Sequence, residues 1–228
     1  MTRAATVMSK PLESAIEAIG DTPLVRLSRL TRDLDGEILA KLEYLNPGYS
    51  KKDRIALQIV EDAEAAGDLE PGQTIVEVTS GNTGTGLAIV SAIKGYHFVA
   101  VMSRGNSMER VRQMQTYGAE VALVDQEEGS RRNSVSGADL ALVEAEAEKL
   151  ALERGAFRPD QFVHRGNFRA HYLHTGPEIM AQAGGRIDGF CDFVGSGGSF
   201  AGCAAAFKER DDRVECFLVE PEGAAVLA

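Results

Sequence analysis

The feature that most constrains this chain is a repeated alternation of a short apolar segment, a glycine-rich loop and a helical segment. TIVEV at residues 74–78 is short and β-branched, and SGNTGTG and the helical pattern LAIVSAIKG follow it. FCDFVG at 190–195 is typical of a buried strand, and SGGSF and a further helical pattern follow it. Parallel strands need crossover connections of this kind, usually helices. The sequence therefore predicts an α/β fold in which helices cover both faces of parallel sheets.

The remaining elements are predicted from the period of the apolar residues. Further strands are predicted at residues 97–102, 120–125 and 215–223, with shorter ones within 19–27 and at 37–44. Further helices are predicted at residues 13–19, 54–66, 108–118, 138–155 and 168–183. The chain has no long linker, so a second domain would be interleaved with the first rather than follow it.

Charge and hydropathy exclude two classes of partner. The chain has 34 acidic and 24 basic residues, a formal net charge of −10. Nucleic-acid binding needs a basic face, so no nucleic-acid partner is expected. No run approaches the roughly 18 uncharged apolar residues of a membrane span, so no membrane contact is expected.

The start of the chain and the cysteines indicate a cytoplasmic protein. MTRAATVMSK lacks the apolar core of a secretory signal. Cys191, Cys203 and Cys216 are odd in number and form no CxxC pair, so we expect buried, reduced thiols. The four histidines do not fall at zinc-finger spacings with these cysteines, and no metal site is expected.

Three loops contain residues that could bind a ligand or react. The first ends in Ser50-Lys51-Lys52-Asp53-Arg54. A turn precedes it, and the following helix is predicted to begin near Ser50. A lysine in the first turn of a helix lies near the positive end of the dipole, which favours the neutral amine. The neutral amine is the form that condenses with an aldehyde. By itself the pattern is more typical of a solvated lysine.

The second loop, Thr79 to Gly86, joins a strand to a helix N-terminus. Free backbone N–H groups and the helix dipole suit an anion there. The Thr, Ser and Asn side chains add donors of a size for a carboxylate rather than a diphosphate. The alternative is a glycine-rich turn with capping residues. No Lys-Ser/Thr follows the glycines, so this is not the phosphate loop of nucleoside triphosphatases.

The third loop, Gly195 to Ser199, also lies between an apolar strand and a helix. Its backbone N–H groups could close around a phosphate as a nest. In a dinucleotide-binding GxGxxG motif the third glycine would fall at position 200, which is Phe200. The spacing therefore excludes that motif.

In this order, the S-x-K-D-R lysine, TSGNTG and GxGGx resemble the fold type II pyridoxal-phosphate (PLP) enzymes, in particular the cysteine synthase and cystathionine β-synthase family. Further matches lie at residues 19–25, 108–110, 161–162 and 175–179. The resemblance covers roughly residues 15–228. It implies two interleaved three-layer α/β/α domains with mostly parallel sheets. The smaller domain would span 47–160, and the larger would combine 1–46 with 161–228 and lack its C-terminal part.

The resemblance also implies roles for individual residues. Lys52 forms the internal aldimine with PLP and later acts as the base at the substrate α-carbon, while Asn82 binds the 3′-oxygen of the cofactor. The substrate carboxylate is bound by Thr79, Ser80, Thr83 and Gln161. The cofactor phosphate is bound by Gly195, Ser196, Gly197, Gly198 and Ser199.

The activity implied is β-replacement at an O-activated L-serine, either O-acetylserine or O-phosphoserine, through an aminoacrylate. Sulfide would be the nucleophile and L-cysteine the product. A homodimer is implied, with serine acetyltransferase as a further partner. Two alternatives stay open: β-replacement with another nucleophile, of the cystathionine or diaminopropionate type, and a catalytically silent PLP-binding paralogue.

The sequence departs from the family pattern on the substrate side and at its end. Lys51 stands where the family commonly has an apolar residue or Asn, and Ser196 and Ser199 stand where Thr is usual. No residue up to 228 can be assigned to the pyridine nitrogen. Departing stretches also hold Arg131, Arg132 and Arg165, which could bind the phosphate of O-phosphoserine or be solvated surface charges.

Overall fold

The computed structural model describes residues 10–79, 81–131 and 133–224, and its elements follow the predicted alternation. The strands are β1 (Leu24–Arg26), β2 (Leu39–Lys41), β3 (Thr74–Val78), β4 (His97–Ser103), β5 (Glu120–Val124), β6 (Gly189–Phe193) and β7 (Glu215–Val219). The helices are α1 (Lys52–Ala66), α2 (Asn82–Lys94), α3 (Met108–Thr116), α4 (Gly137–Arg154), α5 (Gly166–Ala170), α6 (Gly176–Gln182) and α7 (Gly198–Arg210). A π-helical turn, His171–Thr175, joins α5 to α6, and 3₁₀ turns lie at Ala15–Ala18, Glu43–Leu45 and Glu222–Ala224.

The larger sheet has three parallel strands in the order β3-β4-β5. Successive residues of a strand point to opposite faces. Phe98 and Met102 of β4 therefore pack with α1, α2 and α3 on one face, in a core that includes Ala56, Val60, Leu87 and Met114. Val99 and Val101 pack with α4 on the other, in a core that includes Val143, Ala147 and Leu150. The predicted α/β class with helices on both faces is confirmed for this sheet.

The second parallel sheet pairs β6 with β7, and β1 pairs with β2 as an antiparallel ribbon. Phe190 and Cys216 of the β6-β7 sheet pack with a core that includes Met180, Cys203 and Phe207 of α6 and α7. This face is therefore buried under helices.

The opposite face of β6 departs from the sequence prediction. Phe193 is 65% exposed and Cys191 is also exposed, so the strand predicted to be buried alternates between covered and open residues. The reason is that α7 covers one face only within the described residues. The expectation of three buried thiols was therefore wrong for Cys191 and right for Cys203.

The division into two interleaved domains, with boundaries at residues 46/47 and 160/161, stays a prediction. None of the described helices is both long and apolar enough to cross a membrane.

A buried cluster of ion pairs fixes the start of α1. The side chain of Arg54 is 3% exposed, and its guanidinium lies 2.7 Å from carboxylate oxygens of both Glu43 and Glu178. Lys41 adds a third contact, with its Nζ 2.8 Å from Glu178. Burial raises the pKa of Glu178, but the hydrogen bonds from Arg54 and Lys41 outweigh it and bring the pKa down to about 2. The cluster therefore ties α1 to the end of β2 and to α6.

Replacing Arg54 with Leu should lower the free energy of unfolding by about 3–5 kcal/mol, because Glu43 and Glu178 would be left as buried, unpaired charges. Urea unfolding measures this. The matched control is Arg186→Leu, whose ion pair with Asp188 is exposed and should cost less than about 1 kcal/mol. Equal losses in the two variants would contradict a stabilising role for the buried cluster.

Candidate active site

Lys52 is the first residue of α1, as the sequence predicted, and its amine points into the site. Its Nζ lies 3.2 Å from Gln161 Oε1. Burial lowers the pKa of Lys52, the neighbouring charge of Lys51 lowers it further, and Asp192 opposes the shift. Desolvation and a neighbouring cation thus favour the neutral amine, which is the nucleophilic form.

The loop after β3 is held in shape by Thr79. Its hydroxyl oxygen accepts hydrogen bonds from the backbone N–H groups of Gly84 at 2.9 Å and Gly81 at 3.3 Å. A hydroxyl has two lone pairs and one hydrogen, so the O–H of Thr79 remains available as a donor. Asn82 is exposed at the start of α2, while Thr83 is buried. Ser80 lies outside the described residues.

Gln161 connects the second loop to the lysine. Thr83 Oγ1 donates to Gln161 Oε1 at 2.8 Å, and this oxygen also accepts from Lys52 Nζ. One amide oxygen therefore joins α1, α2 and the segment after α4. Three residues that the sequence assigned to cofactor and substrate lie in direct contact.

Glu77 of β3 positions the segment that carries Gln161. Its carboxylate accepts from the backbone N–H of Asp160 at 2.9 Å and also from that of Gln161. Glu77 is 2% exposed, and burial raises its pKa to about 7 against the effect of these hydrogen bonds and of Arg158. Sequence reasoning missed this residue, although an isolated carboxylate in an otherwise apolar strand was a signal.

The third loop is joined to the second through Asn167. The Nδ2 of Asn167 donates to Ser196 Oγ at 2.8 Å and to the backbone oxygen of Gln161 at 2.7 Å. Gly198 packs so closely on this amide that a β-carbon would collide with Asn167 Oδ1. Asn167 belongs to a stretch that departs from the family pattern, and nothing in that stretch predicted its contacts with Ser196 and Gln161. Ser199 begins the first turn of α7, where it contacts Lys51 and Asp192.

Arginines and histidines are the other polar residues that the sequence analysis considered. Arg131 and Arg165 are exposed, and Arg132 lies outside the described residues. His171 Nδ1 contacts Thr175 Oγ1 at 2.9 Å, whereas His174 Nε2 contacts Gln58 Oε1 at 3.1 Å, so the two rings face different partners. Across residues 10–79, 81–131 and 133–224, no three His, Cys, Asp or Glu side chains are grouped so that they could hold a metal ion.

Comparison with known proteins identifies this arrangement. A family described as pyridoxal-phosphate dependent enzyme matches residues 16–228. The chain belongs to this family. It is 42% identical over 220 residues to a cysteine synthase of Staphylococcus aureus strain Mu50, a match that covers 96% of this chain and 68% of the relative. It is also 42% identical over 212 residues to cysteine synthase B of Pseudomonas aeruginosa, covering 92% of this chain and 67% of that protein.

Two crystal structures share the fold of this family member. A hydrogen sulfide-producing enzyme from Fusobacterium nucleatum is 38% identical with a TM-score of 0.85, covering 96% of this chain and 69% of that one. An O-ureido-L-serine synthase is 39% identical with a TM-score of 0.82, covering 96% of this chain and 66% of that one. The chain thus spans about two thirds of the length of these proteins. The predicted family, the fold type II class and the PLP cofactor are confirmed.

The chemistry of the described residues fits PLP. The aldehyde of the cofactor needs a neutral amine, and the lowered pKa of Lys52 favours that form. Its phosphate needs donors, and the first N–H groups of α7, which lack a side-chain cap, include those of Gly198 and Ser199 in the third loop. No atom of the described residues lies within 4 Å of the position that a β-carbon would take on Gly195 or Gly197, so this side of the loop is open.

Replacing Glu77 with Gln should change how the stability of the fold depends on pH. The pKa of Glu77 is raised from 4.5 to about 7, so its protonated form stabilises the fold below pH 4.5 and this contribution is lost as the pH rises through about 7. At about 1.4 kcal/mol per pKa unit, the wild type should lose on the order of 3 kcal/mol relative to Glu77→Gln over that window.

Urea unfolding at pH 4.5, 6 and 8 measures the difference between the two proteins. The exposed Glu70 is replaced with Gln as a control for the loss of one surface carboxylate. A difference between wild type and Glu77→Gln that stays constant over the three pH values would contradict the role of Glu77 as a buried titrating group.

Proposed function

We propose that this protein replaces the β-substituent of an O-activated L-serine, O-acetylserine or O-phosphoserine, and that sulfide is the incoming nucleophile, giving L-cysteine. The observation that carries the proposal is the contact of one oxygen, Gln161 Oε1, with both Lys52 Nζ and Thr83 Oγ1. It brings the cofactor lysine next to the anion-binding loop, as a reaction at the α-carbon of an amino acid requires. The relatives named cysteine synthase support the same substrate class.

Lys52 is proposed to carry the cofactor and then to move the substrate proton. PLP, when bound, supplies an electron sink at the α-carbon. Lys52 Nζ accepts the proton from Cα, acetate or phosphate leaves Cβ, sulfide forms the new bond to Cβ, and Lys52 returns the proton to Cα. The lowered pKa of Lys52 favours the unprotonated amine, which is the form that accepts a proton.

The substrate carboxylate is assigned to the loop after β3. The O–H of Thr79, the hydroxyl of Thr83 and the first N–H groups of α2 are the donors, and Ser80 is assigned to the same anion by its position in the motif. Gln161 competes for the Thr83 hydroxyl in the described structure. Its amide would therefore turn toward the substrate when the carboxylate takes that hydrogen bond.

The remaining residues are assigned to the cofactor itself. Asn82, exposed at the start of α2, is assigned to the 3′-oxygen of the ring. Gly195, Ser196, Gly197, Gly198 and Ser199 are assigned to the phosphate. A homodimer, an association with serine acetyltransferase and a cytoplasmic location stay predictions.

Reduction of the bound cofactor with borohydride should attach it to Lys52 and leave Lys51 unlabelled. Lys52 has the lowered pKa, whereas Lys51 is held in an ion pair with Asp192. Peptide mapping by mass spectrometry locates the pyridoxyl group, and Lys52→Ala is the control that should abolish labelling. A pyridoxyl group on Lys51 in the wild type would overturn the assignment.

Replacing Thr83 with Val should weaken amino-acid binding and leave the PLP content intact, because a hydroxyl donor to the carboxylate is lost. A hydrogen bond to a charged group is worth about 1.5–3 kcal/mol, or roughly ten- to hundred-fold in affinity. Titration of the cofactor absorbance with O-acetylserine measures it, and the exposed Thr116→Val is the control. Loss of PLP with unchanged substrate affinity would show that the loop roles are reversed.

A donor and nucleophile panel tests the reaction. O-acetylserine and O-phosphoserine are each combined with sulfide, homocysteine and ammonia, and product formation is followed by mass spectrometry. Cysteine formation from either donor supports the proposal. If product forms only with homocysteine or ammonia, that compound replaces sulfide as the proposed nucleophile. If neither donor changes the absorbance of the cofactor, a catalytically silent PLP-binding protein is favoured.

A further inference from the structure

The side chain of Lys51 contacts β6 and α7, whereas that of Lys52 contacts Gln161. Lys51 Nζ lies 3.0 and 2.9 Å from the two carboxylate oxygens of Asp192 and 2.8 Å from Ser199 Oγ. Ser199 in turn donates to Asp192 at 2.6 Å, and the ammonium lies 4.3 Å above the centroid of the Phe193 ring. Four contacts thus hold this ammonium against the end of β6 and the start of α7.

We propose that Lys51 is a ligand of the cofactor phosphate. Two successive lysines would then bind different groups of the cofactor, Lys52 its aldehyde and Lys51 its phosphate. The inference rests on the proposed function, because it takes Gly195–Ser199 as the phosphate loop. Ser199 is the link: a phosphate bound to its hydroxyl lies within reach of the ammonium that is already hydrogen-bonded to the same oxygen.

The loop itself has no basic residue, since it consists of glycine and serine. Its N–H groups and the α7 dipole supply only partial positive charge to a dianion. Lys51 supplies a full one. Its side chain is 21% exposed and that of Asp192 is 17% exposed, so solvent ions screen these charges less than they screen surface charges.

Asp192 explains how the ammonium stays in place before the cofactor binds. It is the only ionisable carboxylate in β6, and it points to the same side of the strand as Phe190, toward α7. A partly buried ammonium without a counter-charge would be costly. The three N–H groups of Lys51 now face the two Asp192 oxygens and Ser199 Oγ, so a phosphate oxygen would replace one of these acceptors while the others keep the ammonium in place. The alternative is that the ion pair only ties α1 to β6.

The test compares two aldehydes that differ only in the phosphate. After removal of the cofactor with hydroxylamine, the Kd values of PLP and of pyridoxal are measured by absorbance titration for wild type, Lys51→Met and Lys51→Arg. Lys51→Met should weaken PLP roughly ten-fold or more and leave the Kd of pyridoxal near the wild-type value. Lys51→Arg keeps the charge and should retain most of the preference for PLP.

The matched control is Lys94→Met. Lys94 is also ion-paired, with its Nζ 2.7 Å from Glu64, and its side chain is 22% exposed, but it lies at the far end of α2. Its removal should change neither Kd. Circular dichroism spectra of all variants confirm that each is folded.

A double variant, Lys51→Met with Asp192→Asn, separates attraction by Lys51 from repulsion by an unpaired Asp192. It should bind PLP as weakly as, or little better than, Lys51→Met alone. Recovery of the wild-type Kd would show that Lys51 only neutralises Asp192, and would overturn the inference.

The remaining outcomes are distinct. If Lys51→Met weakens the binding of PLP and of pyridoxal equally, Lys51 has a structural role. If it weakens neither, Lys51 has no role in binding. Either result overturns this inference and leaves the proposed function standing. A wild-type protein that binds both aldehydes equally would overturn the phosphate loop of the proposed function, and the role of Lys51 with it.

Discussion

The site depends on the buried charge of Arg54. Because its guanidinium pairs with carboxylates from two other parts of the chain, the first turn of α1 has a fixed position. Lys51 and Lys52 lie just before it in the sequence and their side chains diverge, that of Lys51 toward α7 and that of Lys52 toward Gln161. Asp53, between them and Arg54, is fully buried, and burial raises its pKa to about 6. Four successive charged residues are thus removed wholly or partly from solvent at the start of one helix.

This concentration of cations sets the electrostatics of the site. Burial lowers the pKa of His171 to about 3, and the charges of Lys51 and Arg54 contribute, so this neighbouring ring stays neutral. Anionic groups are therefore favoured as ligands around α1, whereas the same field favours the unprotonated amine of Lys52. The charge of Lys51 thus affects the protonation of both His171 and Lys52.

The sequence predicted the parts of the site that lie in local motifs. Lys52 and Thr83 each sit at a strand-to-helix junction, where glycine and polar residues mark a helix start. The start of α2 was placed too late, at residue 87 instead of Asn82. The reason is close packing: a β-carbon on Gly86 would lie 3.0 Å from the backbone oxygen of Lys52, so contact with α1 overrides the low helix propensity of glycine.

Contacts between distant parts of the chain were not predictable in the same way. Three polar residues contact partners that only the tertiary fold brings near, and no local motif in the sequence marks them. They are Glu77, Asn167 and Asp192. Two of them, Glu77 and Asp192, lie in apolar strands, where an isolated carboxylate indicates a buried partner. The open face of β6 was also beyond the sequence, because apolar residues alone do not say whether both faces of a strand are covered.

The distance along the chain between the two halves of the site has a consequence for synthesis. Lys51 and Ser199 are separated by 148 residues, and Lys52 and Gln161 by 109. At about 5–20 residues per second, roughly 7–30 s pass on the ribosome between the emergence of Lys51 and that of Ser199. During that interval Lys52 exists without the Gly195–Ser199 loop. With that loop as the proposed phosphate site, stable retention of the cofactor is a late event in the life of the nascent chain, and it reports that the last third of the described fold has joined the first.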